Sequence, residues 1–367
     1  MQQVGGAGDR MWRRWLRLIL AVVVPGLFLY LFFRDIDPGR LAASLRGVGW
    51  GWGLLILAAL VQVFHCVLRA WRWRILLSPL KERTGFYNLF SAITIGYMVT
   101  MLLPGRIGEV LRPVMLAQRE KISKGGALAT IVLERLMDAL SVATFLAIYL
   151  IFFVGPAGGP GREARAGLSL RWGAAAGAVI VLSFPLLWAL VHFRSRAAAL
   201  LSRLISQEGR LGMTVHRIFH GLVDGFEILK GGRALVLAWG YSFLIWGVIS
   251  FSIWFSLLAF DIRIPVAGSL LMLGALTFGI AIPTQGGVGT YEWFGQQALI
   301  RFFGEDPSRA AAAVLVMHVF AITPSIVMGL WCVWREGLSF SGLTRRLGAG
   351  EAAPVPSGSG GAGEGER

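Results

Sequence analysis

Apolar residues run along this chain in blocks of membrane-crossing length. They occupy about 16 to 33, 51 to 68, 86 to 103, 126 to 154, 173 to 193, 235 to 260, 265 to 283 and 309 to 334. A bilayer's hydrocarbon takes roughly 20 such residues as a helix, so the pattern predicts a bundle of spans. Two shorter, more polar segments, 105 to 118 and 286 to 303, follow the third and seventh blocks. Each begins at a break, Pro104-Gly105 in the first and Pro283 with Gly286, Gly287 and Gly289 in the second. Irregular backbone at membrane depth is tolerated only where protein buries it or water reaches it. The breaks therefore predict hairpins lining a cavity. The expected fold is all-α and polytopic, with about six full spans plus two re-entrant or short-helix hairpins.

Basic residues near span ends set the orientation. The cluster Arg10, Arg13, Arg14 and Arg17, the region 69 to 83, Arg119 to Lys124, the loop 194 to 233 and Arg335 to Arg346 all fall on one side. That side is expected to be the cytoplasm, with both termini in it. Arg34, Arg40 and Arg46 argue mildly against a non-cytoplasmic first loop, although Asp35 and Asp37 accompany them. The N-terminal block has the form of a signal peptide, but no small-x-small site follows it, so an uncleaved first span is expected. With this orientation the two hairpins point at each other from opposite faces.

Pro104 lies 179 positions before Pro283, and Glu109 lies 183 before Glu292. Two units of span, span, hairpin, span result, the second starting on the opposite side, an inverted-topology repeat of the kind transporters use. The expected divisions are a basic N-terminus (1–14), a first repeat (15–154), an external loop (155–171), a second repeat (172–335) carrying an amphipathic cytoplasmic insert (194–233), and a disordered tail (336–367). The tail is too rich in Gly, Ser, Glu and Pro to fold.

Composition agrees. Of the 367 residues 56% are hydrophobic and 15% charged, against roughly 25% charged in soluble domains, and the mean hydropathy is +0.66. The formal charge of +15 does not call for nucleic acid, because the arginines sit at the ends of apolar blocks, where cytoplasmic loops and anionic headgroups account for them. Cys66 and Cys332 lie within spans, with no framework or metal spacing.

Three constellations carry possible chemistry. In LPGRIGEVLRP (103–113), Arg106, Glu109 and Arg112 are spaced three apart and fall along one side of a helix. Charges in the bilayer usually face a cavity or a partner; the alternative is an interfacial loop reaching headgroups. In LERLMD (133–138), Glu134, Arg135 and Asp138 share one helix face, and a purely structural Arg135–Asp138 pair is the alternative. It would leave Glu134 unexplained. In PTQGGVGTYE (283–292), the glycines let backbone approach a ligand, and a helix starting near Thr290 would turn its amides toward the break. Close helix packing would also use Gly286, Gly287 and Gly289.

Arg69, Arg72 and Arg74 with Trp71 and Trp73 read as an interfacial belt. His65 and His318 read as packing histidines in different spans, without metal-ligand spacing. Gln62, Gln296 and Gln297 read as interhelical hydrogen-bonders. No cofactor and no metal is expected.

RAWRWRILL, LPGRIGEVLRP, LERLMD and PTQGGVGTYE, in that order, resemble the flippase-like family, also called the lysylphosphatidylglycerol synthase transmembrane family, over about 15 to 335. That family includes the flippase domain of the multiple peptide resistance factor, small proteins consisting only of this domain, and archaeal relatives described as dolichol-linked hexose transferases. The resemblance implies a membrane domain that moves lipids or lipid-linked precursors between leaflets. It assigns substrate-binding roles to Arg106, Glu109, Arg112, Glu134, Arg135, Asp138, Gly286, Gly287, Gly289 and Glu292. The chain lacks the aminoacyl-transferase domain of the resistance factors, so lysyl transfer to phosphatidylglycerol is not expected.

The leading expectation is a transporter in the cell membrane rather than an enzyme, with Arg106, Arg112 and Arg135 holding a phosphate. Its partner would be a membrane lipid or a lipid-linked phosphate, and a homo-oligomer is left open. The second reading is a membrane glycosyltransferase using a polyprenyl-phosphate-linked sugar, with Glu109 or Glu134 as general base. A third is a non-catalytic assembly factor.

Overall fold

The computed structural model describes residues 22–103, 106–153, 232–282 and 284–338. Ten α-helices lie among them: α1 (Val22–Phe33), α2 (Pro38–Arg46), α3 (Gly51–Leu77), α4 (Phe86–Leu102), α5 (Ile107–Glu120), α6 (Lys124–Phe152), α7 (Gly232–Leu258), α8 (Gly268–Ala281), α9 (Thr290–Ala298) and α10 (Pro307–Arg335). Helices α3, α6, α7 and α10 are long and apolar enough to cross a membrane. At 1.5 Å per residue each rises roughly 40 Å, more than the ~30 Å of hydrocarbon. The chain is thus a multi-pass membrane protein. The basic N-terminus, the loop 155–171, the fifth apolar block, nearly all of the insert 194–233 and the tail beyond Leu338 lie outside the described residues.

Contacts fix the topology. Helix α3 begins at what we call the upper face, where Gly51 packs so closely on the end of α7 that a Cβ would lie 2.3 Å from the Ala259 carbonyl oxygen. It ends at the lower face, where the first hairpin, α4 and α5, has its base. There Glu120 accepts from Lys81 Nζ (2.6 Å), Asn88 Nδ2 (2.7 Å) and the Gly85 amide (3.1 Å). Burial pushes the Glu120 carboxyl up, but these three donors outweigh it and hold the group below the usual carboxylate range.

The second hairpin, α8 and α9, has its base at the upper face, with Gly268 against the Phe303 ring. The two tips meet: Gln285 Nε2 donates to the Leu102 carbonyl at 2.8 Å, and the Arg106 guanidinium donates to the Ile280 carbonyl. Span, hairpin and span therefore recur in opposite directions, first as α3, α4/α5 and α6, then as α7, α8/α9 and α10. Each hairpin's first arm also packs on the closing span of the other unit. Gly329 of α10 faces Met98 and Thr94 of α4, and Gly274 of α8 faces Leu146 of α6. This reciprocal packing is what an inverted repeat requires.

The arms cross closely at glycines. A Cβ on Gly108 would lie 1.9 Å from the Gly96 carbonyl oxygen, and one on Gly279 would lie 2.8 Å from the Thr290 carbonyl oxygen. Gly279 follows Gly96 at the 183-residue offset that separates Glu109 from Glu292. Backbone cannot yield as a flexible side chain can, so Gly108→Ala is expected to cost at least ~1–3 kcal/mol. Thermal unfolding in detergent checks this; an unchanged midpoint would mean a crossing far looser than the structure has it.

Local sequence explains the helix starts. Asp37 and Asp306 each cap a helix with proline at its first position, accepting from the amides two and three residues on. Both caps lie at the upper face, joined by the Asp37 amide donating to Ser308 Oγ at 3.2 Å. At the lower face the ordered chain passes the end of α10. Glu336 accepts from Arg119 and from Ser91 Oγ (2.5 Å), and Leu338 packs beside Leu111 and Met115. Residues 336–338 of the expected tail are thus seated on the bundle, and the rest of it lies outside the described residues.

Candidate functional site

A cluster of charges joins two spans and one hairpin arm, α3, α6 and α5, with polar partners from a third span, α7. Glu134 and Asp138 project from α6, which starts ten residues earlier at Lys124, so Glu134 sits ~15 Å along it. Glu134 is fully buried and Asp138 is 4% exposed. The Arg112 guanidinium, from α5, donates to both Glu134 oxygens and lies over the Trp73 ring at 4.2 Å. Arg72 Nη2 lies 3.0 Å from Glu134 Oε1, while its Nη1 donates to Asp138 Oδ1 (2.5 Å) and Ser242 Oγ (2.7 Å). Arg69 donates to Asp138 Oδ2 at 3.1 Å and lies 3.5 Å from Glu134. The Trp246 indole of α7 donates to Asp138 Oδ1 at 2.9 Å.

Arg69 and Arg72 were expected in an interfacial belt; the structure corrects this. Arg72 is fully buried and Arg69 is 4% exposed, because α3 continues to Leu77 and carries both inside the bundle. Trp73 is buried with them, donating to Thr130 Oγ1 at 2.8 Å. Trp71 stays half-exposed with Arg74 over its ring, as a belt pair would. A signal was present. Gln62, His65, Arg69 and Arg72 recur at steps of three and four, a polar stripe on one side of an otherwise apolar helix.

Arg135 reaches the same carboxylates, 3.2 Å from Glu134 and 3.9 Å from Asp138, yet its side chain is 40% exposed. Four guanidiniums thus meet two carboxylates. Arg106 and Glu109 form a looser, balanced pair at 3.8 Å nearby. Arg106 adopts a left-handed backbone (φ 52°) immediately before α5, so it turns toward the other hairpin's tip instead of sharing a helix face with Arg112.

A cavity of about 260 Å³ opens between the hairpins, at the lower end of small-molecule sites of about 300–1,000 Å³. Arg69, Arg106, Arg135 and Glu109 form its charged wall, His65 and His318 flank it, and Gly286 and Gly287 close the far side. Arg69 Nε and Arg135 Nε are buried without a hydrogen-bond partner, as are Arg72 Nε and Arg112 Nε, but only the first two belong to arginines that line the cavity. Donors left this way call for an acceptor. Arg112 and Arg72 face only the carboxylates, Trp73 and Ser242.

The glycine segment does less than expected. Gly286, Gly287 and Gly289 all have positive φ (62°, 80° and 84°), which only glycine adopts freely. Gly289, however, turns from the cavity toward α1, against the Pro25 carbonyl and Phe28. The amide of Gly289, the residue before α9, is taken: Glu292 Oε2 accepts from Gly289 N at 2.7 Å. Glu292 instead meets His318, Nδ1 to Oε1 at 2.5 Å. His65, by contrast, donates to the Gln62 carbonyl, as a packing histidine does.

A family profile described as lysylphosphatidylglycerol synthase TM region matches residues 15–329. A UPF0104 membrane protein of Methanocaldococcus jannaschii is 29% identical over 102 residues, 27% of this chain and 30% of the relative. The protein named glycosyltransferase AglD of Haloferax volcanii is 25% identical over 377 aligned positions, 90% of this chain and 58% of the relative. A UPF0104 membrane protein of Methanothermobacter thermautotrophicus is 24% identical over 344 positions, 88% of this chain and 96% of the relative. The chain thus spans less than two thirds of the first two relatives and nearly all of the third. No solved structure matches.

Proposed function

Because the chain belongs to the lysylphosphatidylglycerol synthase TM region family, we propose that it moves an anionic lipid, or a lipid-linked phosphate, between the leaflets of the cell membrane. The observation that carries the reading is the unbalanced charge. Two carboxylates face four guanidiniums in a buried site, and a low dielectric magnifies the imbalance. A phosphate between Arg69 and Arg135, with Arg106 at the mouth, would offset it and give the orphaned Nε groups an acceptor, since the guanidinium fork suits phosphate oxygens. Tips that meet from opposite faces suit a site reached from either side. Lys81, Arg83, Arg119, Lys121 and Lys124, gathered at the lower face, support a cytoplasmic position for it.

The test uses the purified full chain in liposomes carrying trace labelled phosphatidylglycerol, polyprenyl phosphate or phosphatidylcholine. Protein-dependent movement of at least one anionic lipid, faster than that of the zwitterion, is expected. No movement of any lipid, or equal movement of all three, would overturn the reading.

One observation favours a second reading: a relative covering 90% of this chain is named a glycosyltransferase. Glu109 is the carboxylate best placed to act as a base, since it lines the cavity while Glu134 and Asp138 are held by arginines. That reading expects a glycosylated product from a polyprenyl-phosphate-linked sugar, lost in Glu109→Gln.

A further inference from the structure

The pair Glu292–His318 is not needed to hold a phosphate, and its hydrogen bonding is unusual. His318 Nε2 lies 3.0 Å from the Gly286 carbonyl oxygen, and Nδ1 lies 2.5 Å from Glu292 Oε1. A carbonyl oxygen only accepts, so Nε2 must carry its hydrogen. A carboxylate likewise only accepts, so Nδ1 must carry one too unless Glu292 itself is protonated. Both alternatives hold one proton more than a neutral imidazole beside a carboxylate. Glu292 Oε2 is already occupied by the Gly289 amide, and both side chains are about 5% exposed, so solvent does not complete either group. The Tyr291 ring, stacked on the imidazole at 4.1 Å, favours a positive charge there.

We propose that Glu292 and His318 together bind one proton, and that this proton is the coupling ion of the lipid movement, a claim that rests on the transport reading above. Losing it leaves one donor for two acceptors. The carboxylate contact is the stronger of the two, so the remaining hydrogen stays on Nδ1 and a bare Nε2 lone pair faces the Gly286 carbonyl oxygen. The Gly286 peptide is then released. That residue follows Gln285, whose side chain ties the second tip to Leu102 of the first, so the bound proton supports this tie and its departure loosens it, leaving the tie from Arg106 to Ile280. Closure belongs to low pH and release to high pH.

The first unit makes the corresponding tie without a proton. Arg112 of α5 pairs with Glu134 of α6, as Glu292 of α9 pairs with His318 of α10, and arginine does not titrate in this range. One hairpin is pinned permanently and the other conditionally. Other titratable or charged groups on the cavity wall are His65 and Arg69 from α3, Tyr97 from α4, Arg106 and Glu109 at the start of α5, Arg135 from α6, and Tyr291 from α9. Helices α7 and α8 contribute Trp246 and Thr277 there and no titratable group. Of these, His65 and Glu109 are the ones able to imitate the proposed behaviour.

Hydrogen exchange of the full chain in nanodiscs, scanned from about pH 5 to about pH 9 and divided by the intrinsic base-catalysed rate, tests the site directly. Amides 286–290 are expected to lose protection by roughly three- to tenfold as pH rises, the worth of one ordinary hydrogen bond. The step is expected to vanish in His318→Gln and in Glu292→Gln, and to survive in His65→Gln and Glu109→Gln. A wild type without the step overturns the proposal, even if both variants fail to fold. So does a step that persists in His318→Gln. Flux in liposomes separates the two claims: an exchange step without lipid movement keeps the proton site and removes the transport reading, and lipid movement without the step removes the proton site alone.

Discussion

Replacing Asp138 by asparagine is expected to destabilise the protein by about 3–5 kcal/mol, the usual consequence of removing one partner from a buried ion cluster. The wild-type side chain joins α6 to α3 through Arg69 and Arg72 and to α7 through Trp246. Asparagine keeps the shape and can still accept from the indole, but it leaves four guanidiniums facing Glu134 alone. Water cannot screen the pair at its centre, because Arg72 and Glu134 are fully buried. Thermal unfolding in detergent, or the folded fraction after extraction, reads the effect. Adding Arg72→Met to Asp138→Asn is expected to recover part of the loss, since it removes one of the charges left over. A midpoint unmoved by Asp138→Asn would show that water reaches the cluster and that the arginines need no carboxylate there.

Asp138 also marks how far the sequence could be read. The apolar blocks, the Pro/Gly breaks and the 183-residue offset were enough for the hairpins and their opposed directions, because hydrophobic length and irregular backbone are properties of single segments. The partners of Glu134 and Asp138 were not, because they come from other elements. Arg69 and Arg72, beside Trp71 and Trp73 and just past an apolar block that ends near residue 68, have the composition of a belt. Helices do not end where hydrophobicity does, and α3 carries both arginines past that limit into the bundle. Glu134 and its lack of a local partner were the legible sign that cations had to arrive from elsewhere.

The glycine segment is only partly legible, for a related reason. GGVG was read as open to a ligand, and Gly286 and Gly287 do line the cavity. Whether the Gly289 amide before α9 is free depends on Glu292, whose bonds to that amide and to a histidine 26 residues away are fixed only once α10 packs on α9. Sequence spacing carries no information about that register.

Arg135→Gln is expected to slow movement of an anionic lipid by roughly 10- to 100-fold while leaving the fold intact, the worth of one charge-assisted hydrogen bond. Of the cluster's four arginines this is the one whose loss separates binding from stability. Glu134 keeps Arg112 and Arg72, and Asp138 keeps Arg69, Arg72 and Trp246, so neither carboxylate is stranded. Arg135 is also the most exposed of the four and lines the cavity, with Nε unpartnered. Arg112→Gln should behave oppositely, since that guanidinium bridges both Glu134 oxygens above Trp73 and its removal leaves a gap in the pairing instead of a weaker site. Initial rates of labelled-lipid movement at matched protein density, alongside unfolding midpoints, separate the two. Lysine at 135 should restore part of the rate, because it returns the charge but not the fork. An unchanged rate in Arg135→Gln would move the anion to Arg69 and Arg106 alone, and an unfolded Arg135→Gln would return the arginine to the structural pairing that its spacing from Asp138 first suggested.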